Sequence, residues 1–224
     1  MPTKTFTVGL ANKSHTKATI TPTGSTSPFY ELDLSWFTKE LFTKSTKQSI
    51  VMRSASSAPN SLATSKSDAS SPSSDANPNP ILGTCILPFI SLSNPIQICF
   101  GDPDSKSSTW ESIFCRQTLK SNCFELSIDL GGSLGGRTFN WKRTHAIEGM
   151  GVLKRELDYL HLKMTERETG RVLARFRHHC WYGGKRGELE IEDYEGGGDG
   201  WEVMVVLSGM AVLEYLRKLS GYSF

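Results

Sequence analysis

From Trp201 to about Leu219 the chain reads WEVMVVLSGMAVLEYLRKL, a helix with no polar side. Its apolar residues, among them Val203, Val206, Leu207, Met210, Leu213 and Leu216, fall on every face at 3.6 residues per turn. A helix of this kind is enclosed on all sides rather than laid on a surface. Its start carries Asp199 with Glu202 three residues on, the spacing of a capping box. Its end carries Arg217 and Lys218 in the last turn and Gly221 just beyond, as the helix dipole and a left-handed cap prefer. Eleven residues separate Glu202 from Glu214, none of them charged. At 1.5 Å each they span about 16 Å, roughly half of a bilayer core, so no transmembrane segment is expected.

Something in the same chain must therefore surround this helix, and the upstream residues read as strands. Phe29 to Phe37 sets Tyr30, Leu32, Leu34 and Trp36 against Glu31, Asp33 and Ser35. Cys123 to Leu130 sets Phe124, Leu126, Ile128 and Leu130 against Glu125, Ser127 and Asp129. Leu160, Leu162 and Met164 oppose Tyr159, His161 and Lys163, and Leu189 and Ile191 oppose Glu188, Glu190 and Glu192. This period of two marks half-buried antiparallel strands. Weaker stretches of the same type are Lys4–Leu10, Ala18–Thr21, Gln48–Arg53, Ile81–Leu87, Ile96–Gly101, Trp110–Phe114, Arg137–Thr144 and Arg171–Arg177. Turn signals such as Gly101-Asp102-Pro103 and Thr169-Gly170 separate many of them.

About twelve strands and one all-round apolar helix predict a mainly β fold, a closed antiparallel barrel around the C-terminal helix. Eight strands are just filled by their own side chains, and diameter grows with strand number. Twelve leave a lumen that a helix about 10 Å across can fill. Closure also removes the sheet edges. The rival is a sandwich with the helix between or beside its sheets, an arrangement that more often leaves the helix one polar face.

A single domain over residues 1–224 accommodates this reading, since all-β units reach such lengths. Within it, Ser54–Pro80 is mostly Ser, Ala, Pro, Asn and Asp, with Leu62 its lone large apolar side chain. Such a stretch cannot bury enough surface to offset ordering, and is expected to be a disordered insertion. Its ends need not lie far apart, because long insertions cost little closure entropy. The five cysteines are odd in number and show no C-x-x-C spacing, which points to reduced thiols in a cytoplasmic setting. The polar start, Met1 to Phe6, lacks the apolar core of a signal peptide. A net charge of +2 does not by itself imply nucleic acid or membrane.

Several short motifs, in order, carry a resemblance. Phe139-Asn140-Trp141-Lys142-Arg143-Thr144 is similar to the F-x-W-K-R-T strand of small fungal proteins with a tubby C-terminal-like domain. Met164 to Ala174 is similar to their hairpin around (D/E)-x-x-T-G. Gly187 to Ile191 followed by the apolar helix resembles their ending, and Gly101-Asp102-Pro103 and Trp110-Glu111 resemble their G-D-P and W-E. That family resembles the tubby, LURP-one and scramblase superfamily. The resemblance implies a twelve-stranded barrel around a central helix. It also implies kinship with phosphoinositide-binding and membrane-associated proteins, without a lipid motif that transfers residue by residue.

Gly131-Gly132-Ser133-Leu134-Gly135 fits G-x-S-x-G, and a serine hydrolase acting through Ser133 is the remote alternative. A nucleophile elbow needs a helix after the serine. Here Arg137 to Arg143 alternates like a strand, so the glycines read as a hairpin loop and no catalysis is expected. His178-His179-Cys180 suggests metal, but adjacent strand residues point to opposite faces and no second ligand pair follows. No cofactor is expected.

Charge clustering is more informative. Arg137–Arg186 holds twelve basic and five acidic residues, and Gly187–Glu202 holds seven acidic and none basic. Arg171, Arg175 and Arg177 share a strand face and have Glu188, Glu190 and Glu192 as prospective cross-strand partners. The residues left over, Lys142, Arg143, Lys154 and Arg155, are the candidates for holding anionic phospholipid headgroups. Arg143 should share a face with Phe139 and Trp141 and be partly buried. The expected function is a non-catalytic module binding an anionic membrane surface or a protein, cytoplasmic or peripheral at membranes. The alternative is a structural or interaction protein with no lipid role.

Overall fold

The computed structural model describes residues 3–11, 16–34, 49–55, 79–88, 94–106, 108–117, 122–129, 136–144, 161–179, 185–195, 197–198 and 200–219. Among these residues the chain forms twelve strands and one helix. The strands are β1 (Thr3–Leu10), β2 (Lys17–Pro22), β3 (Tyr30–Asp33), β4 (Ile50–Ser54), β5 (Ile81–Ile86), β6 (Ile96–Phe100), β7 (Trp110–Gln117), β8 (Asn122–Asp129), β9 (Gly136–Arg143), β10 (Leu162–Glu166), β11 (Val172–His178) and β12 (Lys185–Glu192). The helix, α1, spans Trp201–Leu219. Each strand pairs antiparallel with the next in sequence, and β1 pairs with β12 to close the barrel.

The alternation read from the sequence is the inside–outside alternation of this wall. Phe124, Leu126 and Ile128 of β8 are buried while Ser127 and Asp129 are exposed. Tyr30 and Leu32 of β3 face inward between exposed Glu31 and Asp33. Every weaker stretch is also a strand, with ends shifted by a residue or a few. The largest shift is at β7, which runs on to Gln117 and so carries Arg116 on the wall.

The helix runs through the lumen. Sixteen of its nineteen residues are buried, with Leu207, Val212 and Leu216 fully so. It touches the wall on several strands. Trp141 on β9 donates from Nε1 to Ser208 Oγ at 3.0 Å. Phe124 on β8 meets Tyr215 edge-on at 5.9 Å. On β5, a Cβ at Gly83 would lie 2.5 Å from Leu207 Cδ2, so glycine is what lets the wall approach the helix there. Glu202 also does more than the expected capping: it bridges to the wall. Its carboxylate accepts from the Tyr30 hydroxyl and, at 2.8 Å, from Lys4 Nζ, which ties the helix start to β1 and β3. Asp199 lies outside the described residues.

The 54–80 insertion joins β4 to its neighbour β5, whose facing ends are held by a Ser54 N to Pro80 O bond of 3.1 Å. Residues 56–78 lie outside the described ones. The insertion therefore leaves and re-enters the wall at one place, as its low closure cost allows. No helix among the described residues is long and apolar enough to cross a membrane.

Candidate anion-binding face

Pairing of β11 with β12 decides how much of the basic cluster is free. In register, Arg175 faces Glu190 and Arg177 faces Glu188. The ion pairs form one step along the diagonal. Arg177 Nη2 lies 3.0 Å from Glu190, Arg175 Nη1 lies 3.8 Å from Glu192, and Arg171 Nη2 lies 3.6 Å from the same Glu192. His179 Nε2 lies 3.9 Å from Glu188. The expected cross-strand neutralisation is therefore present, and each such pair contributes about 0.2–1 kcal/mol.

What the ladder leaves over lies on β9 and β10. Lys142 and Lys163 are directly opposite one another on the outer face. Both are half-buried. Among the described residues no carboxylate lies within ion-pair distance of either. Like charges in directly opposed positions of an antiparallel pair destabilise it, so the fold gains nothing from this arrangement. Extending the same row gives Arg116 on β7, Cys123 on β8, Lys142, Lys163 and Arg175 on β11. Four of its five members are cations.

Two of these four cations are already paired within the wall, Arg175 with Glu192 and Arg116 with Glu125, which leaves Lys142 and Lys163 as the candidate site. Glu125, two residues from Cys123 on the outer face of β8, takes Arg116 Nη2 at 2.6 Å and Arg167 Nη1 at 3.2 Å. One carboxylate thus serves two guanidiniums. Cys123 is buried beneath the row, with Sγ 3.3 Å from Asn140 Oδ1. Burial pushes its thiol pKa up and outweighs the pull of Lys142, Arg116 and Arg167. It is therefore a packed thiol rather than a thiolate.

Arg143 does not join Lys142. It shares the inner face with Phe139 and Trp141, as expected, and burial lowers its pKa. Its Nε is buried without a hydrogen-bond partner among the described residues. Lys154 and Arg155 lie outside the described residues, as do Ser133 and Cys180. The strands flanking Ser133, β8 and β9, pair antiparallel from Asp129↔Gly136 onward. A strand therefore begins three residues after Ser133, where a nucleophile elbow has a helix. His178 points inward and is buried, while His179 faces out toward Glu188, so the two diverge.

The sequence reading missed three parts of this picture. Lys163 had been placed on an outward face, but its partner depends on the β9–β10 register. Arg116 lay beyond the expected end of β7. The third part is a pair of polar clusters at the ends of the helix. At one end Glu166 accepts from Thr169 Oγ1 and the Tyr194 hydroxyl, each at 2.5 Å, with Arg137 Nη1 at 3.6 Å. Tyr194 in turn stacks on Trp201 at 4.7 Å. At the other end Glu214, fully buried, bonds Arg186 and, at 3.1 and 3.2 Å, Arg217 Nη1. These fasten the helix to the wall; the Glu214 cluster is enclosed, while the Glu166 cluster reaches the surface at Thr169 and Arg137.

Comparison with known proteins finds no match: no family model, no curated protein and no solved structure is significantly similar to this chain.

Proposed function

We propose that this barrel is a non-catalytic binding module that takes anionic phospholipid headgroups on the outer face of β8–β10, as a cytoplasmic protein peripheral to membranes. The opposed Lys142 and Lys163 carry this reading. Two ammonium groups about 5 Å apart at their stems suit a phosphate better than they suit each other. A lysine is a point charge with three donors on a flexible stem, which fits a mobile headgroup. The barrel around a C-terminal helix also supports placing the chain among small fungal tubby C-terminal-like proteins, where the motif order first put it.

Flotation with phosphatidylcholine vesicles containing a phosphatidylinositol phosphate is the test. Wild type should float, and Lys142→Ala/Lys163→Ala should stay in the load fraction. Equal flotation of both would remove the lysine pair from the explanation. The rival reading, a structural or interaction protein with no lipid role, has one observation in its favour: the β11–β12 ladder spends most of the basic cluster internally. It predicts that wild type does not float at all.

A further inference from the structure

Two aromatic rings stand out on the described surface, and they share a strand. Trp110 is 37% exposed and Phe114 is 53% exposed, and no other large apolar side chain is classed as exposed among the described residues. Both lie on the outer face of β7, four residues apart, with Arg116 two residues further on the same face. At about 3.3 Å per residue the rings are about 13 Å apart along the wall. Phe114 faces Glu125 across the β7–β8 pair, the carboxylate already shared by Arg116 and Arg167. The apolar pair therefore adjoins the end of the cationic row.

Barrel closure limits what one flat surface can touch. With twelve strands each step turns the wall by about 30°. Arg116 and Arg175, four strands apart, are separated by about 120° and cannot both meet a plane. Phe114, Arg116 and Lys142 lie within about 60° of one another, centred on β8. Lys163 sits on the shoulder of that arc, within the roughly 8 Å over which surface charge acts at physiological salt. Arg175 on β11 faces away from that arc. Closure also leaves no strand edge for a peptide to extend. What remains is a convex wall with aromatic rings beside cations, and that combination matches the interface of an anionic bilayer.

We infer that the barrel lies on its side against an anionic membrane, with Phe114 and Trp110 of β7 entering the interface while Arg116, Lys142 and Lys163 engage headgroups. The inference rests on the headgroup reading above and adds an insertion element and an orientation. The aromatics supply a contact that salt does not screen.

Vesicles of phosphatidylcholine, with or without phosphatidylserine and with brominated acyl chains, test it on the whole protein. Tryptophan fluorescence of wild type should be quenched on binding to the anionic vesicles, and that quenching should be lost in Trp110→Phe. Phe114→Ser should weaken binding about tenfold, at an unchanged melting temperature because the side chain is half exposed. Lys142→Ala and Arg116→Ala should each weaken it about fivefold and flatten its salt dependence, as expected for about 1 kcal/mol per cation. Arg175→Ala should leave binding unchanged. Charge variants that weaken binding while Phe114→Ser has no effect and no quenching occurs would overturn insertion and leave the headgroup reading standing. Undiminished quenching in Trp110→Phe would overturn the orientation. Failure of wild type to bind any anionic vesicle would overturn both readings.

Discussion

Gly209 lies in the middle of α1, where helix propensity alone favours alanine by about 1 kcal/mol. The packing around it reverses that sign. A Cβ at this position would lie 2.9 Å from Cζ2 and 3.1 Å from Cη2 of Trp141. The ring or the helix must move to admit it. Trp141 is fully buried, and its Nε1–H donates at 3.0 Å to Ser208, the residue before the glycine. Backing the ring away strains the bond made next door. Overpacking a full core costs about 1–3 kcal/mol. Weakening a buried indole hydrogen bond adds about 1 kcal/mol. Set against the propensity gain, Gly209→Ala should destabilise the protein by about 1–3 kcal/mol. For a domain of this size that lowers the melting temperature by about 2–4 °C per kcal/mol. Urea unfolding of a cycle with Trp141→Phe isolates the cause, because the smaller ring vacates the space the Cβ needs. In that background Gly209→Ala should cost nothing or stabilise, a coupling of about 1–3 kcal/mol. If Gly209→Ala melts above wild type, or if the two substitutions are additive, the close approach of helix to wall is not what places glycine here.

Val206→Asp and Met210→Asp each put a carboxylate where the side chain is at most 2% exposed, and circular dichroism should show neither variant reaching the native fold; a native spectrum from either would refute a helix enclosed on all sides. Glu214→Ala leaves Arg186 and Arg217 buried without their shared carboxylate, and should cost about 3–5 kcal/mol by urea unfolding. Glu214→Gln, which keeps an acceptor, should cost less. Burial pushes the Glu166 carboxyl pKa up, but hydrogen bonds from Thr169 and Tyr194 with the charges of Arg137 and Arg171 outweigh it and hold it below the ordinary value. Its stabilising contribution is therefore complete above about pH 4.5 and is lost as pH falls through the depressed value. Wild type should lose more stability than Glu166→Gln between pH 5 and 3, and parallel curves would show that this carboxylate is not responsible.

The strands and the helix were legible because each pattern depends on one boundary. A barrel wall has an inside and an outside, and a period of two records it without reference to which strands are neighbours. The helix is enclosed everywhere, so its composition alone reports its place. The β11–β12 ladder could also be read, since Arg175, Arg177, Glu190 and Glu192 belong to consecutive strands with opposite charge. Lys142 facing Lys163 was not legible in the same way. Those two strands are joined by a long connection, and a shift of one residue would have set Lys142 against Leu162 or Met164 and turned Lys163 to the inner face. The buried carboxylates were hidden for a different reason. Glu166 reads as part of a turn and Glu214 as a charge interrupting an apolar run, because a residue letter carries no information about the hydrogen bonds that make burial tolerable. Register thus supplies the functional distinction that periodicity lacks. The outward arginines of β11 meet glutamates and are explained by the fold. The outward lysines of β9 and β10 meet each other, an arrangement that costs stability. Since a closed wall offers a partner no strand edge, the place where its outer side chains oppose folding is the place to look for a ligand.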